Sequence, residues 1–152
     1  MSNYIESYQT CYHELPVFHS EYSIPLREPF CCSTIQLIDL AYSIRGEVYY
    51  YLGRYKKAIA DFNKAIELNT SIPKTNDAIY FRAQAKYFLN DYYGAIYDFT
   101  TFLEINYEFS EGYWNRGMVK EKIGDLNGAC ADYKKALSLS AGLQEDYDEK
   151  CN

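Results

Sequence analysis

Long apolar runs are missing from this sequence. Charged residues interrupt every hydrophobic stretch before the ~18 residues that a membrane-crossing helix needs, and the first ten residues hold neither a basic start nor an apolar core. Neither a membrane span nor an export signal is expected. Histidine is scarce: His13 and His19 are the only two, so a nucleophile elsewhere in the chain has no imidazole base near it in sequence, and no enzyme activity is expected. The five cysteines, Cys11, Cys31, Cys32, Cys130 and Cys151, are odd in number and irregularly spaced. That pattern reads as unpaired thiols in a reducing cytoplasm, with Cys130 as a packing residue, and not as a disulfide framework. Cys11, His13, His19, Cys31 and Cys32 are the only candidate soft-metal donors, but they form no C-x-x-C or H-x-x-x-H pair, so no metal or other cofactor is expected. A surplus of basic residues is also lacking. The formal charge is −6; residues 1–38 and 144–152 each carry four acidic and one basic side chain, while residues 39–143 carry thirteen of each sign. Without a basic patch, neither nucleic acid nor an anionic membrane is an expected partner.

What the chain does have is enough apolar material for one globular domain, 48% of its 152 residues, and an excess of tyrosine. Eighteen tyrosines need a structural home. The chain also repeats itself. Residues 45–68, 82–105 and 116–139 align without gaps; Gly46 and Ala83 are 37 residues apart, and Ala83 and Gly117 are 34 apart. Within each unit, apolar residues return every three or four positions on either side of a short break, at Gly53-Arg54-Tyr55, Asn90-Asp91-Tyr92 and Gly124-Asp125-Leu126. Each unit therefore reads as a helical hairpin. The inward stripe of the second helix alternates small and large residues: Ala58, Ile59, Phe62, Ala65 and Ile66, then Ala95, Ile96, Phe99, Phe102 and Leu103, then Ala129, Cys130, Tyr133, Ala136 and Leu137. Gly46, Ala83 and Gly117 are small enough to let two helices cross closely beside the large ring. Arg45, Arg82 and Arg116 are each followed sixteen residues later by Asp61, Asp98 and Asp132. This spacing predicts a structural Arg/Asp ladder, joining helices within a unit or between units.

On these residues the chain resembles the tetratricopeptide repeat family. The resemblance rests on Gly46, Tyr49, Gly53, Tyr55, Ala58, Phe62 and Ala65; on Ala83, Tyr92, Ala95 and Phe99; and on Gly117, Gly124, Ala129, Tyr133 and Ala136. Lys86 and Lys120 depart from the usual aromatic, and Phe102 from a small residue. Arg116-Gly117 and Gly128-Ala129-Cys130-x-Asp132 have the flavour of a bacterial type. The resemblance implies an all-α solenoid of three hairpins, at about 39–72, 76–109 and 110–143, between an N-terminal extension (1–38) and an acidic C-terminal cap (144–152). A solenoid needs covered ends. Leu143, Tyr147 and Cys151 share one helical face suited to a short capping helix, and Tyr4, Tyr8, Cys11, Tyr12 and Leu15 form a similar stripe ahead of a proline-containing extended segment. Ser33 is the expected N-cap of the first long helix.

The resemblance further implies that the first helices line a concave groove. Its candidates are Leu40, Ser43, Glu47, Tyr50 and Tyr51; Asp77, Tyr80, Gln84, Tyr87 and Phe88; and Glu111, Trp114, Asn115, Met118, Glu121 and Lys122. Tyr50, Tyr87 and Trp114 are expected to form one aromatic surface across the three units, against the plain alternative that tyrosines fill space between helices. The lysine and asparagine with which chaperone cofactors of this family clamp a peptide carboxylate are replaced here by Ser43 and Glu47. The expected function is a non-enzymatic interaction module that binds a peptide or partner protein of apolar character flanked by amides or basic residues. A scaffold that associates with itself through the solenoid ends, as a homo-oligomer, is the alternative, followed by an N-terminal metal-binding or catalytic segment on a passive scaffold.

Overall fold

The computed structural model describes residues 30–68 and 72–140 together with Tyr147 and Cys151, with residues 30–36 and 72–75 described through their backbone alone. Among these residues there are six helices and no strand: α1 (Phe30–Tyr51), α2 (Tyr55–Leu68), α3 (Ile72–Phe88), α4 (Tyr92–Ile105), α5 (Ser110–Lys122) and α6 (Leu126–Leu139). The helices pair as hairpins α1–α2, α3–α4 and α5–α6, and each hairpin stacks on the next, with α1, α3 and α5 side by side. The chain is an all-α solenoid of three helical hairpins. Of the metal-donor set, Cys31 and Cys32 lie in the first turn of α1; Cys11, His13 and His19, the stripe from Tyr4 to Leu15 and the extended segment lie outside the described residues. Ser33 is not a cap, because α1 already starts at Phe30, immediately after Pro29. Proline is compatible with a helix entrance, so the helix needs no later start signal.

Each hairpin turns through one residue in the left-handed region: Gly53 (φ 69°), Asn90 (φ 62°) and Gly124 (φ 80°). Glycine takes this conformation without steric cost, and asparagine is among the residues that tolerate it. After the turn, the Asp91 and Asp125 carboxylates accept hydrogen bonds from the Gly94 and Gly128 backbone N–H groups at 3.0 and 2.9 Å, starting α4 and α6. The hairpins close around one ring each. Phe62, Phe99 and Tyr133 are almost wholly buried, and a Cβ added at Gly46 or Gly117 would lie 2.7 Å from the Phe62 ring or 2.6 Å from the Tyr133 ring. The Tyr133 hydroxyl donates to Glu121 Oε2 at 2.7 Å, which satisfies the one polar atom of that ring.

The arginines and aspartates pair within each hairpin through two parallel bonds. Arg45 meets Asp61 at 2.7 and 2.8 Å, Arg82 meets Asp98 at 2.8 and 2.7 Å, and Arg116 meets Asp132 at 2.8 and 2.7 Å. Lys86 and Lys120, the two departures from the usual aromatic, place Nζ 2.8 Å from the same carboxylates, Asp98 and Asp132. In the first hairpin Tyr49 keeps that place, and Lys57 lies over its ring. The arginines also reach backwards. Arg82 donates to Asn63 at 2.8 Å and Arg116 to Thr100 at 3.1 Å, each acceptor belonging to the second helix of the preceding hairpin. The ladder thus joins hairpins as well as closing them.

One expectation is overturned at the C-terminal end. Cys130 and Cys151 form a disulfide, so Cys130 is neither an unpaired thiol nor packing alone. The irregular spacing concealed the pair because the two cysteines are 21 residues apart; Tyr147 and Cys151 are helical and half-buried. Leu143 lies outside the described residues. The bond also removes the cysteine-based argument for a reducing cytoplasm. None of the described helices is long and apolar enough to cross a membrane. On α1, the side chains of Leu37, Ile44 and Val48 are exposed, and so is Leu52 in the turn that follows.

Two stability outcomes follow. Gly117→Val puts bulk against the Tyr133 ring and should cost about 1–3 kcal/mol in urea unfolding. Asp98→Asn leaves Arg82 and Lys86 around a neutral, fully buried group and should cost about 3–5 kcal/mol. Asp61→Asn should cost a small fraction of that, because Arg45 is 57% exposed and water already solvates it. Equal losses at Asp61 and Asp98 would contradict this account of the ladder.

Candidate functional site

With α1, α3 and α5 side by side, residues one helical turn apart on each helix face a common side. Their side chains enclose a cleft of about 100 Å³. Tyr50 supplies the α1 wall; Gln84, Tyr87 and Phe88 come from α3, and Asn115 and Met118 from α5. All six are among the groove candidates. Phe99 and Val119 complete the lining. Sequence reasoning did not include these two, because Phe99 belongs to the core stripe and nothing in the periodicity shows that one side of a core ring borders a cleft.

The other candidates, Tyr51, Tyr80, Trp114 and Glu47 among them, do not line it. Tyr51 is 73% exposed and does not line the cleft. Tyr80 lies in the seam between the second and third hairpins, against Phe99, Phe102 and Phe109. Burial, helped by the charge on Glu111, pushes its phenol up to about 12. The Tyr80 oxygen accepts a hydrogen bond from Asn115 Nδ2 at 2.8 Å, which fixes the amide at the cleft edge. Trp114 packs against Tyr133, with ring centroids 4.4 Å apart, and so joins the third hairpin's interior ring and not Tyr50 and Tyr87. Glu47 lies one turn before Tyr50 on α1.

The cleft aromatics are also load-sharing scaffold residues. Tyr50 contacts the rings of Tyr55, Phe81 and Phe88, with centroids 5.8, 5.5 and 6.1 Å away, filling the seam between the first two hairpins. Tyr87 has fewer ring neighbours, Phe88 at 5.5 Å and Tyr92 at 6.0 Å. Edge-on and tilted pairs of this kind hold rings in fixed orientations. The cleft walls are therefore rigid before anything binds.

The polar rim is acidic. Burial raises the Glu47 carboxyl above its ordinary value and the nearby Asp77 charge raises it further; burial likewise raises Asp77. Glu111 lies in the first turn of α5. Among the described residues, none of these three has a cation at ion-pair distance, whereas the ladder carboxylates all do. Ser43, at one of the two clamp positions, is buried.

The family pattern of the tetratricopeptide repeat matches residues 40–71 and again residues 110–142. The chain contains tetratricopeptide repeats. The middle hairpin, with Lys86 and Phe102, lies between the two matched stretches and has the same helical-hairpin fold. Solved structures agree on the fold. The first repeat domain of Spaghetti (RPAP3), bound to the HSP90 peptide SRMEEVD, is 24% identical, with a TM-score of 0.65 over 74% of this chain and 87% of that one. The Arabidopsis OM64 repeat domain is 22% identical, with a TM-score of 0.68 over 76% and 94%. The second repeat domain of human RPAP3, in complex with the HSP70 peptide SGPTIEEVD, is 21% identical, with a TM-score of 0.68 over 78% and 98%. A search of curated protein sequences finds no match. Human and plant domains stand among these neighbours, so they lend no support to a bacterial type.

The raised Glu47 carboxyl has a measurable consequence. Its folded form holds a proton more firmly than the unfolded chain does, so the unfavourable ionisation is fully present above the raised pKa and disappears as pH falls through it. Glu47→Gln should therefore raise the melting temperature by about 1–3 °C near pH 7. The gain should vanish below about pH 3, well under the ordinary glutamate pKa of about 4.3, where the side chain is protonated in both states. A gain of the same size at both pH values would assign the effect to packing instead.

Proposed function

We propose that this tetratricopeptide-repeat protein is a non-enzymatic interaction module that captures a peptide segment of its partner in the cleft between α1, α3 and α5. The observation that carries this reading is the cleft itself, one depression with walls from all three hairpins. Rigid rings, two amides and a thioether suit burial of an apolar side chain with hydrogen bonding of the adjoining peptide backbone. None of these groups is a nucleophile paired with a base. The family and the peptide-bound solved neighbours support the general role.

Self-association through the solenoid ends is less well supported. Between hairpins, the reaching arginine finds Asn63 or Thr100, each two residues beyond the ladder aspartate. The corresponding place in the last hairpin is Lys134, so end-to-end stacking in the solenoid register would set Arg45 of one copy against Lys134 of another. Like charges there oppose the contact. The disulfide also bonds Cys151 to Cys130 of α6, the last helix of the stack.

The test uses peptides selected on the wild-type protein from a random display library. Tyr87→Ala and Met118→Ala should each weaken a selected peptide by roughly tenfold or more, as expected for a buried anchor contact, while Lys64→Ala on the outer side of α2 leaves binding unchanged. Melting temperatures of the cleft variants should fall by no more than a few degrees. Variants that melt early yet bind every selected peptide as the parent does would make the aromatic cleft scaffold alone.

A further inference from the structure

The ladder and the groove treat carboxylates in opposite ways. Asp61, Asp98 and Asp132 each meet an arginine at 2.7 Å. Glu47, Asp77 and Glu111 have no cation at ion-pair distance among the described residues, although they come from three different helices and lie one or two turns before the cleft walls. Local structure accounts for only part of this. Glu111, in the first turn of α5, is favoured by the helix N-terminus. Glu47 is in the interior of α1, where no helix end favours a negative charge, and its burial and its neighbour Asp77 both disfavour one. A glutamine there would keep the same helix propensity without the penalty. The place thus holds a charge that the free protein does not use.

We propose that the groove takes a peptide segment in which a lysine or arginine adjoins an aromatic or long aliphatic residue, the apolar side chain entering the cleft and the cation meeting Glu47, Asp77 and Glu111. This deepens the peptide-binding reading and rests on it. Charge complementarity selects the occupant. Leaving aside Glu121, which the Tyr133 hydroxyl engages, the groove candidates Glu47, Asp77 and Glu111 outnumber the one candidate cation, Lys122, so an acidic peptide is repelled. The N-terminal residues 1–29, with four acidic side chains and one basic, fail the same criterion, which makes the occupant a partner's segment. The rigid apolar walls supply burial, and the acidic rim supplies orientation and discrimination.

The experiment reads the composition of the selected peptides, with the synthetic peptide SRMEEVD as an acidic probe. Selected sequences should be enriched in Lys or Arg beside Phe, Tyr, Trp, Leu or Met. A synthetic peptide of that consensus should bind at least about tenfold more tightly than SRMEEVD at low salt, with the preference shrinking as salt is raised. The triple change Glu47→Gln, Asp77→Asn and Glu111→Gln should weaken the basic peptide about tenfold and flatten its salt dependence, with thermal melting measured alongside to confirm the fold. The salt series on the wild-type protein gives the same information without any variant. Selection of acidic or uncharged apolar peptides whose binding is lost in Tyr87→Ala would overturn the charge assignment and leave the cleft reading standing. No enrichment that depends on Tyr87 or Met118 would overturn both.

Discussion

In every hairpin an aromatic ring is seated where two helices cross, and it fits only because the opposite helix has glycine or alanine at that point. Phe62 lies against Gly46, and Tyr133 against Gly117, so closely that a single added carbon would overlap the ring. Ala83 is the corresponding residue of the middle hairpin, where Phe99 is the ring. A close crossing of this kind fixes both the distance and the angle between the helices, because a packed interior does not deform continuously. The hairpin becomes a rigid unit, and stacking rigid units sets α1, α3 and α5 side by side. The groove is a consequence of that arrangement.

Charge then supplements shape. A bidentate arginine–aspartate pair has a fixed geometry, and its arginine retains an N–H for the preceding hairpin. Where the crossing is most buried, the second and third hairpins add Lys86 and Lys120, so that two cations surround one carboxylate. The lysines that depart from the family pattern are thus members of the scaffold. Their net contribution to stability is modest, since desolvation opposes attraction, but removing one partner leaves the others buried and uncompensated.

The tyrosine excess has a similar double character. Tyr50 and Tyr80 fill seams between hairpins, and Tyr50 also presents part of its ring to the cleft. A ring with two or three neighbours gains little freedom when no ligand is present, so this surface would lose little entropy on binding one. The shape of the cleft is therefore a property of the scaffold. The rim adds charge to that shape, because Glu47 is held beside Asp77 with its carboxyl raised above the ordinary value. A repeat fold shared with domains that hold acidic peptides does not itself carry their preference.

The number of hairpins, their turns and the residues of each crossing were legible in the sequence, because each depends on spacing along one helix or across one short turn. Arginine and aspartate sixteen residues apart announced a contact for the same reason. What spacing could not convey was which of two compatible neighbours a side chain chooses. Trp114 packs on Tyr133 and leaves the cleft; Phe99 and Val119, core residues by period, line it; Cys130 finds Cys151 across the C-terminal end. Those outcomes depend on how the hairpins stack and on a cysteine contact 21 residues apart in sequence, which no local period encodes. The sequence by itself determined the repeating unit through short-range helical geometry, whereas the tertiary structure alone decided which rings, amides and carboxylates meet, since that is set by how one hairpin sits upon the next.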